Sequence, residues 1–269
     1  MGELVVVRSG GDIATGVIQK LVRSGFSVVI SEIANPSCIR RGACLSECIY
    51  DGKKTVEDIT AVYVKNVYEI GEVLNQGLVP LLIDEKLENI DMLKPLAVVD
   101  AIIAKKNIGM NLDIAPITIG LGPGFSAGKD VNVVVETMRG HDLGRLIFSG
   151  YAVANTGIPG NVGGETINRV IHSETKGKIK NIKQIGDYVK KDEVIAYIDG
   201  HEVKPRINGI LRGLIRDGFE VPKQGFKIAD VDPRKLDKTV CYTISDKARN
   251  IGGGVLEAIM LLKRAKEYN

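Results

Sequence analysis

The sequence predicts an α/β protein in which a mostly parallel sheet domain is followed by a small all-β domain. Three observations predict it. An apolar, β-branched run at Leu4–Arg8 meets a glycine turn, an amphipathic segment and a second such run at Ser27–Glu32. Short apolar runs then alternate with helix-period segments as far as Ile103. After Asn168 the text changes to short strand-like stretches with an internal echo.

The opening is a βαβ start of Rossmann-like type. Gly10 and Gly11 let the backbone approach a ligand closely, and the helix expected over Ile13–Arg23 aims its free N–H groups at the same point. A phosphate fits there, surrounded by Gly10, Gly11, Asp12, Ala14 and Thr15. Glu32 lies about 20 residues further on, where an acid ending the second strand can take ribose hydroxyls, so NAD is one candidate cofactor. Ser9 and Ala14 stand where the first and third glycines of G-x-G-x-x-G belong, and a tight turn without a ligand is the alternative.

Gly25 stops the first helix and Val28–Ile33 forms the second strand. Residues 35–50 are irregular. Arg40 and Arg41 there either grip a phosphate or form a solvated pair. Cys38, Cys44 and Cys48 have no recognised zinc or iron–sulfur spacing, so no metal site is expected. With Cys241 they are too few and too scattered for a disulfide framework, and reduced thiols are expected.

Strands at Ile59–Val64 and Val79–Ile83 and helices at Val67–Gln76 and Lys86–Leu93 continue the alternation. Ala97–Ile103 reads as a buried strand containing Asp100. A carboxylate in an apolar run demands a partner, which Lys105, Lys106 or a ligand hydroxyl can supply. Ile117–Phe125 runs into a second glycine loop, whose Gly122 and Gly124 can line an anion or a ring. Two such loops at strand ends imply a cleft. A strand at Asn132–Thr137 leads to the polar patch 139–145, where Arg139 and His141 are expected opposite the first turn, holding an anionic ligand. Residues 155–160 read as a turn-rich lid or linker.

In the second half, Gly186 superposes on Gly218 and Val189 on Val221, which implies two short-strand halves related by a pseudo-twofold. Gly186-Asp187-Tyr188-Val189-Lys190-Lys191 and the stretch Pro205–Leu211 resemble a biotinyl/lipoyl-like hammerhead barrel. Such carriers set their modified lysine between methionines. Here the turn is Asp199-Gly200-His201, so neither covalent biotin nor lipoate is expected. A last helix starts at the cap Ser245 and runs to about Lys266. Its Gly252-Gly253-Gly254 costs roughly 1 kcal/mol per glycine, which close approach of another backbone would justify. The domain boundaries are placed at 1–165 for the nucleotide- or cofactor-binding domain, 166–232 for the barrel and 233–269 for a helix returning to the first domain.

Together, Ser9–Gly16, Asp100–Asn107, Gly120–Phe125, the run Glu136-Thr137-Met138-Arg139-Gly140-His141-Asp142-Leu143-Gly144-Arg145 and Ile244–Glu257 resemble the YqeB family of the selenium-dependent molybdenum hydroxylase system. The resemblance implies an accessory role in maturing that hydroxylase. Its partners would be the hydroxylase or its maturation proteins, and its ligand a molybdopterin-type cofactor or nucleotide. It implies no particular reaction and no catalytic set. An NAD-dependent oxidoreductase and a ligand-free docking scaffold are the competing readings.

Charged residues make up 26% of the 269 and balance to +3, and aromatics are 5% with no Trp, so neither nucleic acid nor an anionic membrane is expected as a partner. The 44% hydrophobic content is ample for a core. No apolar run reaches membrane-spanning length and no secretory signal pattern opens the chain, so a cytoplasmic location is expected. Oligomeric state is left open, a homo-oligomer included.

Overall fold

The computed structural model describes residues 2–267. They form two units: one comprises residues 2–36, 44–155 and 244–267, the other Ser37–Ala43 and Thr156–Thr243. The break therefore falls after Asn155, and the short segment from Ser37 belongs with the later residues.

The first unit is built on one nine-stranded sheet. In chain order its strands are β1 (Leu4–Arg8), β2 (Ser27–Glu32), β3 (Lys53–Val56), β4 (Ile59–Val64), β5 (Val79–Ile83), β6 (Ala97–Asp100), β7 (Ile117–Leu121), β8 (Val133–Val135) and β9 (Leu146–Ile147). Across the sheet they run β3-β4-β5-β2-β1-β6-β7-β8-β9. Every neighbour from β4 to β8 is parallel, and only the outer strands β3 and β9 are antiparallel. Strands covered on both faces read as unbroken apolar runs, as Val5-Val6-Val7 and Val133-Val134-Val135 do.

Helices are α1 (Asp12–Arg23), α2 (Cys48–Asp51), α3 (Ile70–Asn75), α4 (Ile90–Leu93) and α5 (Asp246–Glu267). Two are shorter than the sequence pattern predicts. The helix expected from Lys86 begins only at Ile90, because the Asp84 carboxylate takes the amides of Glu88 and Asn89 and Leu87 turns to φ +59°. The helix expected from Val67 opens as a 3₁₀ turn capped by Asn66. β6 stops at Asp100 rather than Ile103, because that carboxylate accepts the Ile102 amide and Ile103 sits at φ +59°.

No helix lies between β6 and β7 or between β7 and β8. The face they would cover is taken by α5, whose Ile251, Val255, Ala258 and Ile259 join Ile119, Leu121 and Val133 in one core. α5 reaches that position by lying almost backbone to backbone on α1. A Cβ on Gly252 would stand 2.6 Å from the Gly16 carbonyl oxygen, and one on Gly16 would stand 2.6 Å from the Ala248 carbonyl carbon. The helix-weakening glycines are therefore contact points.

The second unit holds two four-stranded antiparallel sheets. Its strands are β10 (Val170–His172), β11 (Gly177–Asn181), β12 (Tyr188–Val189), β13 (Ala196–Ile198), β14 (His201–Val203), β15 (Gly209–Leu214), β16 (Glu220–Val221) and β17 (Lys227–Asp232). One sheet runs β10-β17-β15-β12 and the other β14-β13-β11-β16. The orders correspond element by element, with β15 and β16 repeating β11 and β12. Val189 and Val221 are buried in a shared core with Ile179, Leu211, Ile198 and Val231.

Candidate functional site

Strand order reverses between β1 and β6: the chain builds outward from β1 through β2, then returns to lay β6 on the other flank. Backbone connections diverge at such a point and leave a crevice at the carboxyl ends of the strands. Here the first unit holds a cavity of about 460 Å³ lined by Arg8, Ser9, Glu32, Lys86, Ile102 and Ile108 among others.

Arg8 ends β1 and is 4% exposed. Its Nη1 donates to Asp100 Oδ2 at 2.7 Å, and its Nη2 donates to the carbonyls of Glu85 and Ile108, each at 3.1 Å. One guanidinium thus ties β6 to the two loops that form the mouth of the cavity. Its Nε is buried without a hydrogen-bond partner. Burial pushes the Asp100 carboxyl up, against the pull of Arg8 and the Ile102 amide.

The chain then turns through Ser9 at φ +89°, a left-handed conformation that costs an L-residue about 1–3 kcal/mol and collects at functional sites. Beyond it the Gly10 amide donates to Glu32 Oε2 at 2.9 Å, the Ile33 amide to Glu32 Oε1 at 2.9 Å, and the Gly11 amide to Ser9 Oγ at 3.0 Å. Burial raises the Glu32 carboxyl, while Gly10, Ile33 and Ser9 pull it back. Gly10 is a glycine because the chain at Ser46 crosses it: a Cβ would meet the Ser46 nitrogen at 2.7 Å, and the Ser46 amide donates to the Gly10 carbonyl.

The structure therefore sorts the candidate residues. Glu32 lines the cavity, with Asp100 beneath it through Arg8. The turn amides of Gly10 and Gly11 are already engaged by side chains of the protein. Ala14 is buried, and Thr15, also buried, donates to the Gly10 and Gly11 carbonyls and accepts from the Leu45 amide. Asp12 opens α1 and acts electrostatically on Lys247. Asp100 meets neither Lys105 nor Lys106 but Arg8 and the Ile102 amide, because β1 and β6 are neighbours in register. Lys105 is exposed at φ +64°. The Gly122 amide donates to Val135, and Gly124 packs against the backbone of Lys106.

Arg139 and His141 lie outside the cavity lining. Arg139 is paired with Asp246 at 2.7 Å, and exposed His141 borders an open surface hollow with Asp142, Arg145 and Glu257. Arg40 and Arg41 hold main-chain carbonyls of the second unit, at Val240, Thr243 and Leu214. The expected reduced state of the thiols is corrected in part: Cys38 and Cys44 are disulfide-bonded, while Cys48 and Cys241 are free and buried. Burial, then the nearby charge of Glu32, pushes the Cys48 thiol up to about 12, which makes it inert.

Two residues were missed by sequence reasoning. Arg8 was hidden because it ends an apolar run; a charge at the carboxyl end of the first strand of a βαβ unit was the available signal. Lys247, half-buried in the first turn of α5, is pushed down by burial and by Arg139, against the opposite pull of Asp12, Glu136 and Asp246. No local pattern marks it.

Over 261 residues, 97% of this chain, identity to the protein named Uncharacterized protein YqeB of Escherichia coli (strain K12) is 48%. The chain is similar to YqeB over nearly its whole length. It spans about half of that protein's length, 48%. The shared stretch is long enough to take in both units. No family model matches the chain. Among solved structures, the apo ectoine utilization protein EutE (DoeB) from Ruegeria pomeroyi shares 9% identity with 86% of each chain covered, at a TM-score of 0.25. Among the described residues, no helix is long and apolar enough to cross a membrane.

Proposed function

We propose that the chain is an accessory protein for maturing a selenium-dependent molybdenum hydroxylase, and that its switch-point cavity binds a phosphate-bearing nucleotide or molybdopterin-type cofactor. The observation that carries this reading is the cavity's position beside the reversal of strand order, where open α/β sheets take their ligands. Its volume of about 460 Å³ suits a small organic molecule, since ligand pockets run from about 300 to 1,000 Å³. The hydroxylase or its maturation proteins are the proposed partners, on the strength of the sequence motifs shared with the family.

The second unit we read as a biotinyl/lipoyl-like hammerhead that carries no prosthetic group and serves as the docking body. Its two corresponding sheets support the kinship, and the turn between β13 and β14 presents Asp199 and Gly200 where a carrier has its lysine. Nearby Lys204 is ion-paired with Glu202. Use of NAD is the weaker reading, because the Gly10 and Gly11 amides that would take its pyrophosphate are engaged by Glu32 and Ser9.

Native mass spectrometry of the purified chain tests the main proposal. A small molecule lost on denaturation, and absent from an Ile108→Trp variant that fills the mouth, is the expected result. A chain that stays empty after incubation with GTP, NAD and molybdopterin would move the function to docking alone.

A further inference from the structure

We infer that the cavity reads the ring end of its ligand, taking a fused heterocycle with a lactam–amidine edge, as in guanine or a pterin, whose two N–H groups bond Glu32 and whose carbonyl meets Arg8. The inference rests on the proposal that the cavity is a ligand site. It reverses the orientation that the glycine turn suggests.

The floor offers no cradle for a phosphate. Arg8 is neutralised by Asp100 at 2.7 Å, and the amides of Gly10 and Gly11 are bonded to Glu32 and Ser9. What the floor does offer is a carboxylate. Each Glu32 oxygen accepts one backbone amide, and the Ser9 hydroxyl is a third donor to the carboxylate, which the second N–H of an incoming ring edge would replace. Two parallel N–H donors, the geometry of an amidine edge, match a carboxylate bidentately. They also stabilise the ionised form that burial disfavours. The same wall carries Arg8, 4% exposed, whose Nε lacks an acceptor, and a lactam oxygen is the group that would supply one. Ile33, Ile102 and Ile108, each more than a third exposed, give the apolar contact that the faces of a flat ring require. The exposed Lys86 lies at the mouth, where a phosphate tail would emerge.

Calorimetric titration of the full chain with guanosine, inosine, adenosine, pterin and ribose 5-phosphate tests this without any mutation. Guanosine or pterin should bind, inosine, which lacks the amino group, should bind at least about tenfold more weakly, and adenosine should not register. Preference for guanosine over pterin, or the reverse, tells the two ring systems apart. Glu32→Gln, which keeps an acceptor for the Gly10 amide, should erase the difference between guanosine and inosine. Equal binding of the three nucleosides would overturn the inference. Binding of ribose 5-phosphate with none of the rings would overturn it while leaving the cavity as a ligand site. Failure of every probe would overturn it too, and the mass measurement above would then decide the cavity's role separately.

Discussion

Two ion pairs in the first unit have the same chemistry and the same 2.7 Å separation, yet they do different things. Arg8–Asp100 is 4% and 1% exposed and forms the floor of the cavity, whereas Arg139–Asp246 is 41% and 74% exposed on the surface. Burial, not distance, separates them. In water the Coulomb gain of the outer pair nearly cancels against the entropy of ordering two side chains. Inside, either charge left alone would have no solvent to compensate it. The comparison breaks most decisively at Asp100. Asp100→Ala strands the Arg8 guanidinium and is expected to cost about 3–5 kcal/mol, read by urea denaturation, with loss of any cavity ligand. A cost no larger than that of the surface pair would remove the distinction.

Glu32 gives the next largest effect, because it joins the floor to the glycine turn. Glu32→Ala leaves the Gly10 amide buried without an acceptor and is expected to cost about 1–3 kcal/mol. Its sign with pH is also fixed. Burial raises the folded carboxyl above its ordinary value of 4.5, so the folded state holds the proton more tightly than the unfolded chain. The associated stability is fully present below 4.5 and is lost as pH rises through the folded value. Glu32→Gln should flatten that decline in stability curves recorded from acid toward neutral pH. A variant that tracked the wild type throughout would place the titration elsewhere.

A surface carboxylate shows the opposite sign. The Arg23 guanidinium holds Asp58 down at about 2, although both side chains are roughly half exposed. Its contribution is present above 3.8 and lost as pH falls through about 2. Solvent screening keeps it to about 0–1 kcal/mol, and added salt should shrink it further. Asp58→Asn tested at pH 5 in low and high salt would show both.

What the sequence made legible follows the same division. The parallel sheet could be read because β1, β2, β5 and β7 are built mainly of apolar residues, and the repeat in the second unit because Gly186 and Gly218 both turn the chain at positive φ. The glycine run in α5 pointed correctly to a close backbone contact, which proves to be Gly16. The site was legible only in part. Glu32 stood out by spacing, but that its carboxylate would occupy the turn amides depends on β1 and β2 lying side by side in register. Arg8 and Asp100 are 92 residues apart, and no local pattern joins them. Conversely, the dense polar run at 139–145 looked like a site because charge is conspicuous in sequence, whereas enclosure is not.

That run gives the smallest expected effect and the sharpest test of the comparison. Arg139→Gln removes the bidentate pair with Asp246 at the start of α5, at 2.7 and 3.0 Å. It also relieves Lys247 of a neighbouring positive charge, so the Lys247 amine should titrate higher in the variant. Stability should change by no more than about 1 kcal/mol, since both partners remain hydrated when separated. Ligand affinity should not change, because neither residue lines the cavity. If the variant folds as the wild type does and yet loses ligand, the polar run is part of the binding site, and Lys247, facing Asp12, Glu136 and Asp246, becomes the group through which it acts.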